Sequence, residues 1–365
     1  MAARSTVAKP APAVPTATLR DTTTLVADGQ HNAFTDLIAW GGAYYLAYRQ
    51  AHNHGTSPPG CLVVLRSATG EHWTPVATLA TGGDDRDPRF FVTMEGVLGL
   101  LFGTWYPAWA PSTTISNAQQ HLLSHLSLST DGTHWSTPCQ IGRPNYWFWS
   151  LRASEDVYLA AAYHFGGYND RQHSVHLLAS ADLASWRERS CLLTGTEVSE
   201  PVLYAPLGGG LACLVRQDDG PPLHLSTDDP LRRAPWPFTV LGDLEYHPSA
   251  ALPWRDGVIV AARALLPAPE PRLGARATRD LPQLKPRQAR TVLLWLHAGR
   301  LTPLLGLPSR GDCAYAGLAW GPATPEGATL LVSYYSQHAR PTRRAGPVML
   351  PTPADVFLAR VTLDN

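Results

Sequence analysis

Residues 149–165, WSLRASEDVYLAAAYHF, and residues 247–263, HPSAALPWRDGVIVAAR, are built on one plan. A short polar or aromatic motif leads into an apolar strand, a turn reverses the chain, and a second apolar strand returns. The plan recurs in TDLIAWGGAYYLAYR (35–49), DPRFFVTMEGVLGLLFGTW (87–105), EPVLYAPLGGGLACLVR (200–216) and YAGLAWGPATPEGATLLVSYYS (315–336). Six hairpins at roughly regular spacing indicate a repeat architecture, in which each unit covers the apolar face of its neighbour.

Composition points the same way. The 365 residues include 33 Pro and 30 Gly, spread along the chain and too frequent for long helices. Twenty-nine basic side chains balance 29 acidic ones, so no net basic face is available for nucleic acid or an anionic membrane. The five cysteines, Cys61, Cys139, Cys191, Cys213 and Cys313, are an odd number without CxxC spacing. They are expected as buried free thiols. No apolar run is long enough for a membrane span, and prolines interrupt the N-terminal stretch where a signal peptide needs its apolar segment. The expected location is therefore cytoplasmic, the expected state a monomer, and residues 1–20 a disordered tail.

A second signature, Ser-x-Asp-x-x-x-Trp, follows several hairpins: Ser129/Asp131/Trp135, Ser180/Asp182/Trp186, and Ser67/Thr69/Trp73 with Thr in the Asp position. Ser226/Asp228 with Trp236 is a looser copy. Ser and Asp accept turn N–H groups while Trp covers the hairpin. These motifs resemble the Asp-box repeats of sialidase-like β-propellers. The resemblance implies an all-β fold: one six-bladed β-propeller of four-stranded antiparallel blades over residues 21–365. A strand near Thr23–Val26 would pair with a final strand at Asp355–Thr362 and close the ring. In such a meander the first strand's start and the second strand's end share one rim, and the Ser-x-Asp turns, with Trp135 and Trp186 buried, share the other.

Collecting the residues of the first rim gives His31, Asp36, Arg49, His52, His54, Arg86, Asp87, Arg152, Glu200, Arg216, Arg263, Arg290, Asp312, Tyr315 and Tyr335. Guanidinium groups around a concave centre offer bidentate recognition of an anion. The order Glu200, Arg216, Arg290, Tyr315 resembles the sialidase (neuraminidase) superfamily. HNAFTDL, DDRDPRF, SEPVLY, RTVLLWL and GDCAYAGL resemble bacterial sialidase-like, or exo-α-sialidase, family proteins. The resemblance implies Tyr315 as nucleophile, Glu200 as its base, and Arg216 and Arg290 as a carboxylate clamp. A neutral Tyr avoids the repulsion that a carboxylate nucleophile would feel from an acidic sugar.

Two departures bear on the substrate. HNAFTDL stands where an Arg-Ile-Pro motif would supply the first arginine, leaving Arg49 or Arg263 to substitute, with Arg86, Arg152 and His31 as further binding candidates. The acid/base Asp has no counterpart in AHNHGTSPPG, so His54 or His52 is a proton donor, with Asp36 and Asp87 competing. The spacing of His52 and His54 offers no third ligand, and neither a metal nor another cofactor is expected. The expected function is exo-hydrolysis of an acidic saccharide or glycoside. The alternatives are a lyase acting on a uronate-containing glycan and a non-catalytic carbohydrate-binding propeller.

Overall fold

The structure, a computed structural model, describes residues 14–54, 59–106, 122–164, 172–230, 235–267, 287–322, 327–340 and 353–364. Six four-stranded antiparallel sheets form a six-bladed β-propeller. Blade 1 is β2 (His31–Trp40), β3 (Ala43–Ala51), β4 (Cys61–Ser67) and β5 (Thr74–Leu79). Blade 2 is β6 (Asp84–Val92), β7 (Leu98–Trp105), β8 (Leu122–Ser129) and β9 (Cys139–Ile141). Blade 3 is β10 (Tyr146–Ser154), β11 (Val157–His164), β12 (Gln172–Ser180) and β13 (Arg187–Thr196). Blade 4 is β14 (Val198–Tyr204), β15 (Leu211–Gln217), β16 (Leu223–Thr227) and β17 (Phe238–Val240). Blade 5 is β18 (Tyr246–Trp254), β19 (Gly257–Pro267), β20 (Arg287–His297) and β21 (Arg300–Gly306).

Blade 6 draws on both ends of the chain. β22 (Cys313–Trp320), β23 (Ala328–Ser336) and β24 (Asp355–Asp364) are completed by β1 (Thr16–Val26), which pairs antiparallel with β24. β1 thus begins five residues inside the stretch expected to be tail, and residues 1–13 lie outside the described residues. The alternation of TATLRDTTTLV suits an outermost strand, since its apolar residues meet the sheet layer beneath. Ala17 and Leu19 pack on the blade 5–6 core, and Leu25 and Val26 on the blade 1–6 core.

Apolar side chains fill the spaces between blades. Leu37, Leu46 and Tyr48 of blade 1 meet Leu331, Val356 and Leu358 of blade 6, while Ala47 and Val64 meet Leu98, Leu100 and Phe102 of blade 2. At Gly103 a Cβ would collide with the Trp147 indole of the next blade, so only glycine admits that ring.

The Ser-x-Asp turns have the geometry their chemistry dictates. Ser129 Oγ accepts the Gly132 N–H, and Asp131 Oδ1 accepts those of Thr133 and His134. Asp182 Oδ1 does the same for Ala184 and Ser185. Trp135 and Trp186 are only half-buried, because each lies at the rim and covers its hairpin edge-on; Trp186 also donates to Leu183 O at 2.8 Å. The cysteines are free thiols, but only Cys213 and Cys313 are buried, and Cys139 on the outermost strand of blade 2 is exposed.

Every innermost strand carries a one-residue β-bulge near its start. The register steps fall at Ala33/Asp36, Arg86/Arg89, Phe148/Ser150, Ser199/Val202, Pro248/Ala250 and Ala314/Gly317. A bulge takes backbone groups out of the ladder, and here side chains of the preceding blade pair with the N–H groups beside it. Ser124 Oγ accepts Phe148 N, Ser150 Oγ accepts Leu203 N and Ser249 Oγ accepts Ala316 N, each at 2.9 Å.

Asp36 has the same duty, accepting Phe90 N at 2.7 Å. It was expected among the proton donors, but its carboxylate is committed to joining blade 1 to blade 2.

The joint at Ser249 is buried, so its loss should leave Ala316 N–H without a partner. Ser249→Ala should lower the unfolding free energy in urea by about 1–3 kcal/mol; an unchanged midpoint would show that the joint contributes nothing.

Candidate active site

Four of the six bulges hold a non-glycine residue in the left-handed region: Phe34 (φ 56°), Asp87 (φ 54°), Glu200 (φ 53°) and Tyr315 (φ 42°). Such residues cost energy unless their surroundings hold them. The bulges of β14 and β22 bring Glu200 and Tyr315 together across the centre of the ring. The Tyr315 hydroxyl donates to Glu200 Oε1 at 2.7 Å. Arg216, at the end of β15, reaches both: its Nη1 donates to Glu200 Oε1 and lies 2.9 Å from the Tyr315 oxygen, while its Nε donates to Asp218 at 2.6 Å.

Arg263 completes the surroundings of the phenol. Its guanidinium carbon sits 4.8 Å from the centre of the Tyr315 ring, and its Nε donates to Cys313 O at 2.9 Å. Arg216 Nη2 and Arg263 Nη1 have no protein acceptor among the described residues. Glu200 Oε2 is buried without a hydrogen-bond partner. Unmatched buried polar atoms in a native fold mark a place for water or ligand.

These contacts set the protonation states. Burial pushes the Tyr315 phenol up, and the negative Glu200 adds to this against the opposing pull of Arg216 and Arg263. Burial would also raise the Glu200 carboxyl, but Arg216, His247, the Tyr315 hydroxyl and Arg263 outweigh it and hold Glu200 below the usual carboxylate range. The resting pair is a neutral phenol hydrogen-bonded to a carboxylate, as nucleophile activation by a base requires.

The other expected site residues divide into those at the centre and those away from it. Arg290 donates to Ala289 O and to Gln288, and Arg263, rather than Arg290, lies against Tyr315. Arg290 is the fourth residue of β20, the third strand of its blade, one strand farther from the axis than Arg263. Arg152 is exposed and pairs with Leu159, close to the β10–β11 turn. Six residues past the start of β10, it lies about 20 Å down the strand from this rim. Arg49 is wholly buried and holds Asp84 Oδ1 through Nε at 2.7 Å, which removes it from any clamp. Arg86 donates to Asp84 Oδ2 and to His54 O.

His31, His54 and Asp312 form a second cluster beside the first, and the spacing of His52 and His54 gave no sign of it. His31 Nε2 lies 2.9 Å from Asp312 Oδ2, His54 Nδ1 meets the same oxygen, and Tyr335 donates to Asp312 Oδ1 at 2.6 Å. Their donor atoms lie within 4.8 Å of one another, the arrangement of a possible metal site. Arg49 Nη1, however, faces His31 Nδ1 at 3.4 Å. A guanidinium only donates, so Nδ1 is the acceptor and Nε2 carries the proton given to Asp312; a metal would need that lone pair. The one hint in the sequence was Asp312, three residues before Tyr315. His52 is exposed.

Aromatic rings wall the centre. Phe34 stands edge-on to His54, Tyr315 and Tyr335, at centroid distances of 5.3, 5.3 and 5.6 Å, and Trp149 lies 6.0 Å from Tyr315 beneath the Arg89 guanidinium. A separate groove of about 860 Å³ at the opposite rim, lined by Tyr204, His224, Asp228, Arg255 and His297 among others, contains none of the residues of the Tyr315 centre.

No protein-family model matches the chain, and no curated protein matches it in sequence. Its fold does match solved structures. A protein of unknown function from Dyadobacter fermentans aligns over 96% of this chain and all of its own, with 16% identity and a TM-score of 0.70. A Trypanosoma rangeli sialidase in complex with the inhibitor DANA aligns over 93% of this chain, with 12% identity and a TM-score of 0.57. This chain spans 58% of that sialidase's length. A Penicillium chrysogenum α-L-arabinanase complexed with arabinobiose aligns over 94% of this chain and 98% of its own, with 14% identity and a TM-score of 0.55. At these identities the likeness is one of fold.

Asp87 provides a pH signature of the site. Burial lifts its carboxyl to about 6; Arg86 opposes this and Glu200 adds to it. An unfolded aspartate titrates at about 3.9, so between the two values the folded chain holds a proton that the unfolded chain has released, and stability falls as pH rises. Asp87→Asn should shrink the fall in unfolding free energy between pH 4 and 7 by about 3 kcal/mol in urea titrations followed by tryptophan fluorescence. An unaltered pH profile would place Asp87 in the ordinary carboxylate range.

Proposed function

We propose that this propeller is a retaining glycoside hydrolase of the sialidase type, acting from the chain end on an acidic sugar. The observation that carries the reading is the Tyr315 hydroxyl, held at 2.7 Å by Glu200 and at 2.9 Å by Arg216. Tyr315 Oη attacks the anomeric carbon as its proton passes to Glu200, and the glycosidic C–O bond breaks. The aglycone leaves as its alcohol with a proton from a general acid; water then attacks the glycosyl–tyrosine intermediate and returns a proton to that acid, while Glu200 gives the phenolate its proton back. Arg216 and Arg263 lower the cost of negative charge on the phenol oxygen as it forms.

The same two arginines support the choice of sugar. Both guanidinium groups lie against Tyr315, a place where a carboxylate on the reacting sugar gains charge-assisted hydrogen bonds. Arg263 takes the place first given to Arg290. The fold shared with sialidases, one of them solved with sialic acid, agrees with a saccharide substrate. The fold shared with an arabinanase makes a neutral pentose the natural comparison.

The test uses 2,3-difluorosialic acid and the 2-deoxy-2-fluoroglycosyl fluorides of glucuronic acid and arabinose, each with fluoride on the anomeric carbon as leaving group, with intact-mass detection. The wild type should gain one acidic glycosyl unit, with the mass on the peptide containing Tyr315, and Tyr315→Phe should gain none. Glu200→Gln should slow labelling by at least 10²-fold with little change in the sugar's Kd. Labelling by the arabinose derivative alone would replace the acidic sugar with a neutral one. Labelling of Tyr315→Phe at the wild-type rate would overturn the mechanism.

A further inference from the structure

We infer that His54 is the proton donor to the departing sugar oxygen, with Asp312 as its positioning residue, an assignment that rests on the glycosidase reading above. The Asp312 carboxylate accepts from His31 Nε2, His54 Nδ1 and the Tyr335 hydroxyl. With Nδ1 turned to Asp312, His54 has Nε2 on the opposite side of its ring, and at 52% exposure the side chain is open to the mouth. His54 and Tyr315 both meet the Phe34 ring edge-on, each at 5.3 Å. A buried carboxylate that fixes one imidazole nitrogen and leaves the other for proton transfer is the arrangement that makes histidine an acid and base in acyl transfer.

The backbone under His54 is fixed from below. Asp84 holds two arginines, Arg49 on Oδ1 and Arg86 on Oδ2. Arg49 Nη1 donates to Asn53 O at 2.9 Å, and Arg86 Nη2 donates to His54 O at 2.9 Å. A Cβ at Gly60 would strike Asp84 Oδ1 and Arg49 Nε, so glycine there keeps the bracket closed. Two successive carbonyls are gripped by guanidinium groups that cannot lose their charge, which places His54 to within the tolerance proton transfer demands.

The proton balance is complete. The imidazolium Nε2–H passes to the glycosidic oxygen as Tyr315 attacks and the C–O bond breaks, releasing an alcohol and leaving neutral His54. The water that opens the glycosyl–tyrosine bond gives its proton to Nε2, which restores the imidazolium. Asp87 is the rival donor: it is buried on the bulge of blade 2 and shares the mouth, and its own substitution separates it from His54.

The experiment compares leaving groups, using the methyl and 2,4-dinitrophenyl α-glycosides of N-acetylneuraminic acid and of glucuronic acid with the full chain. Dinitrophenolate departs without a proton and methoxide does not. His54→Ala should therefore lower kcat/KM for the methyl glycoside by about 10²–10⁴-fold and for the dinitrophenyl glycoside by less than about tenfold. Asp312→Asn should show the same split in smaller degree and remove the downfield Nδ1–H proton resonance of His54, whereas a merely structural loss would lower both substrates together. The assignment is overturned if His54→Ala reduces both glycosides equally, or if Asp87→Asn carries the split instead. A wild type that turns over none of the four refutes the acidic-glycosidase reading itself, and the assignment falls with it.

Discussion

The positions of Phe34, Asp87, Glu200 and Tyr315 depend on a single extra residue in each of their innermost strands. Without the bulge, alternation would carry successive side chains between the two faces of a blade and turn none of them along the axis. With it, the backbone at Phe34, Asp87, Glu200 and Tyr315 enters the left-handed region and redirects those side chains toward the mouth. Each such conformation costs of order 1–3 kcal/mol for a residue with a Cβ. Beside Asp87, Glu200 and Tyr315 the backbone is held by hydrogen bonds from the preceding blade, through Asp36, Ser150 and Ser249. The site is therefore a property of the closed ring, since no blade alone can hold its own bulge.

Within that ring charge is arranged in two adjoining carboxylate centres. Glu200 is stabilised chiefly by arginine, and its remaining hydrogen bond goes to a phenol that burial keeps protonated. Asp312 is stabilised against burial by His31 and His54 first and by Arg263 more weakly. Arg263 lies between the two, over the Tyr315 ring and 3.8 Å from Asp312. Where water is excluded, fixed charges of this kind act strongly and need no reorganisation during reaction. One centre is built to accept a proton and the other to hold a proton-bearing ring.

The blades were legible because hairpin periodicity is a local property: two apolar strands and a turn lie within about twenty residues at each copy. Glu200, Arg216 and Tyr315 were legible for the same reason, each falling at a strand end assigned to the mouth. Arg152 was misplaced because strand length, not strand membership, decides how far a residue stands from the rim. Arg290 and Arg263 were exchanged because neighbouring strands end at similar heights, and only the radius from the axis separates them. The bulges left no mark, since no glycine announces them at Glu200 or Tyr315. The His31–His54–Asp312 cluster could not be read from spacing, because 258 residues separate His54 from Asp312 and only ring closure joins them.

The composition of blade 6 sets an order of events during synthesis. Tyr315 lies on β22, yet its sheet needs both β24, the last of the described strands to be made, and β1, the first of them. Blades 1 to 5 can each assemble from contiguous chain as they emerge, whereas the blade of Tyr315 must wait while its outermost strand is held unpaired through the translation of more than 300 residues. Loop closure over that length is entropically costly and slow. The Tyr315–Glu200 pair is thus among the last contacts to form, and a chain that stalls before β24 carries five blades and an incomplete sheet around Tyr315.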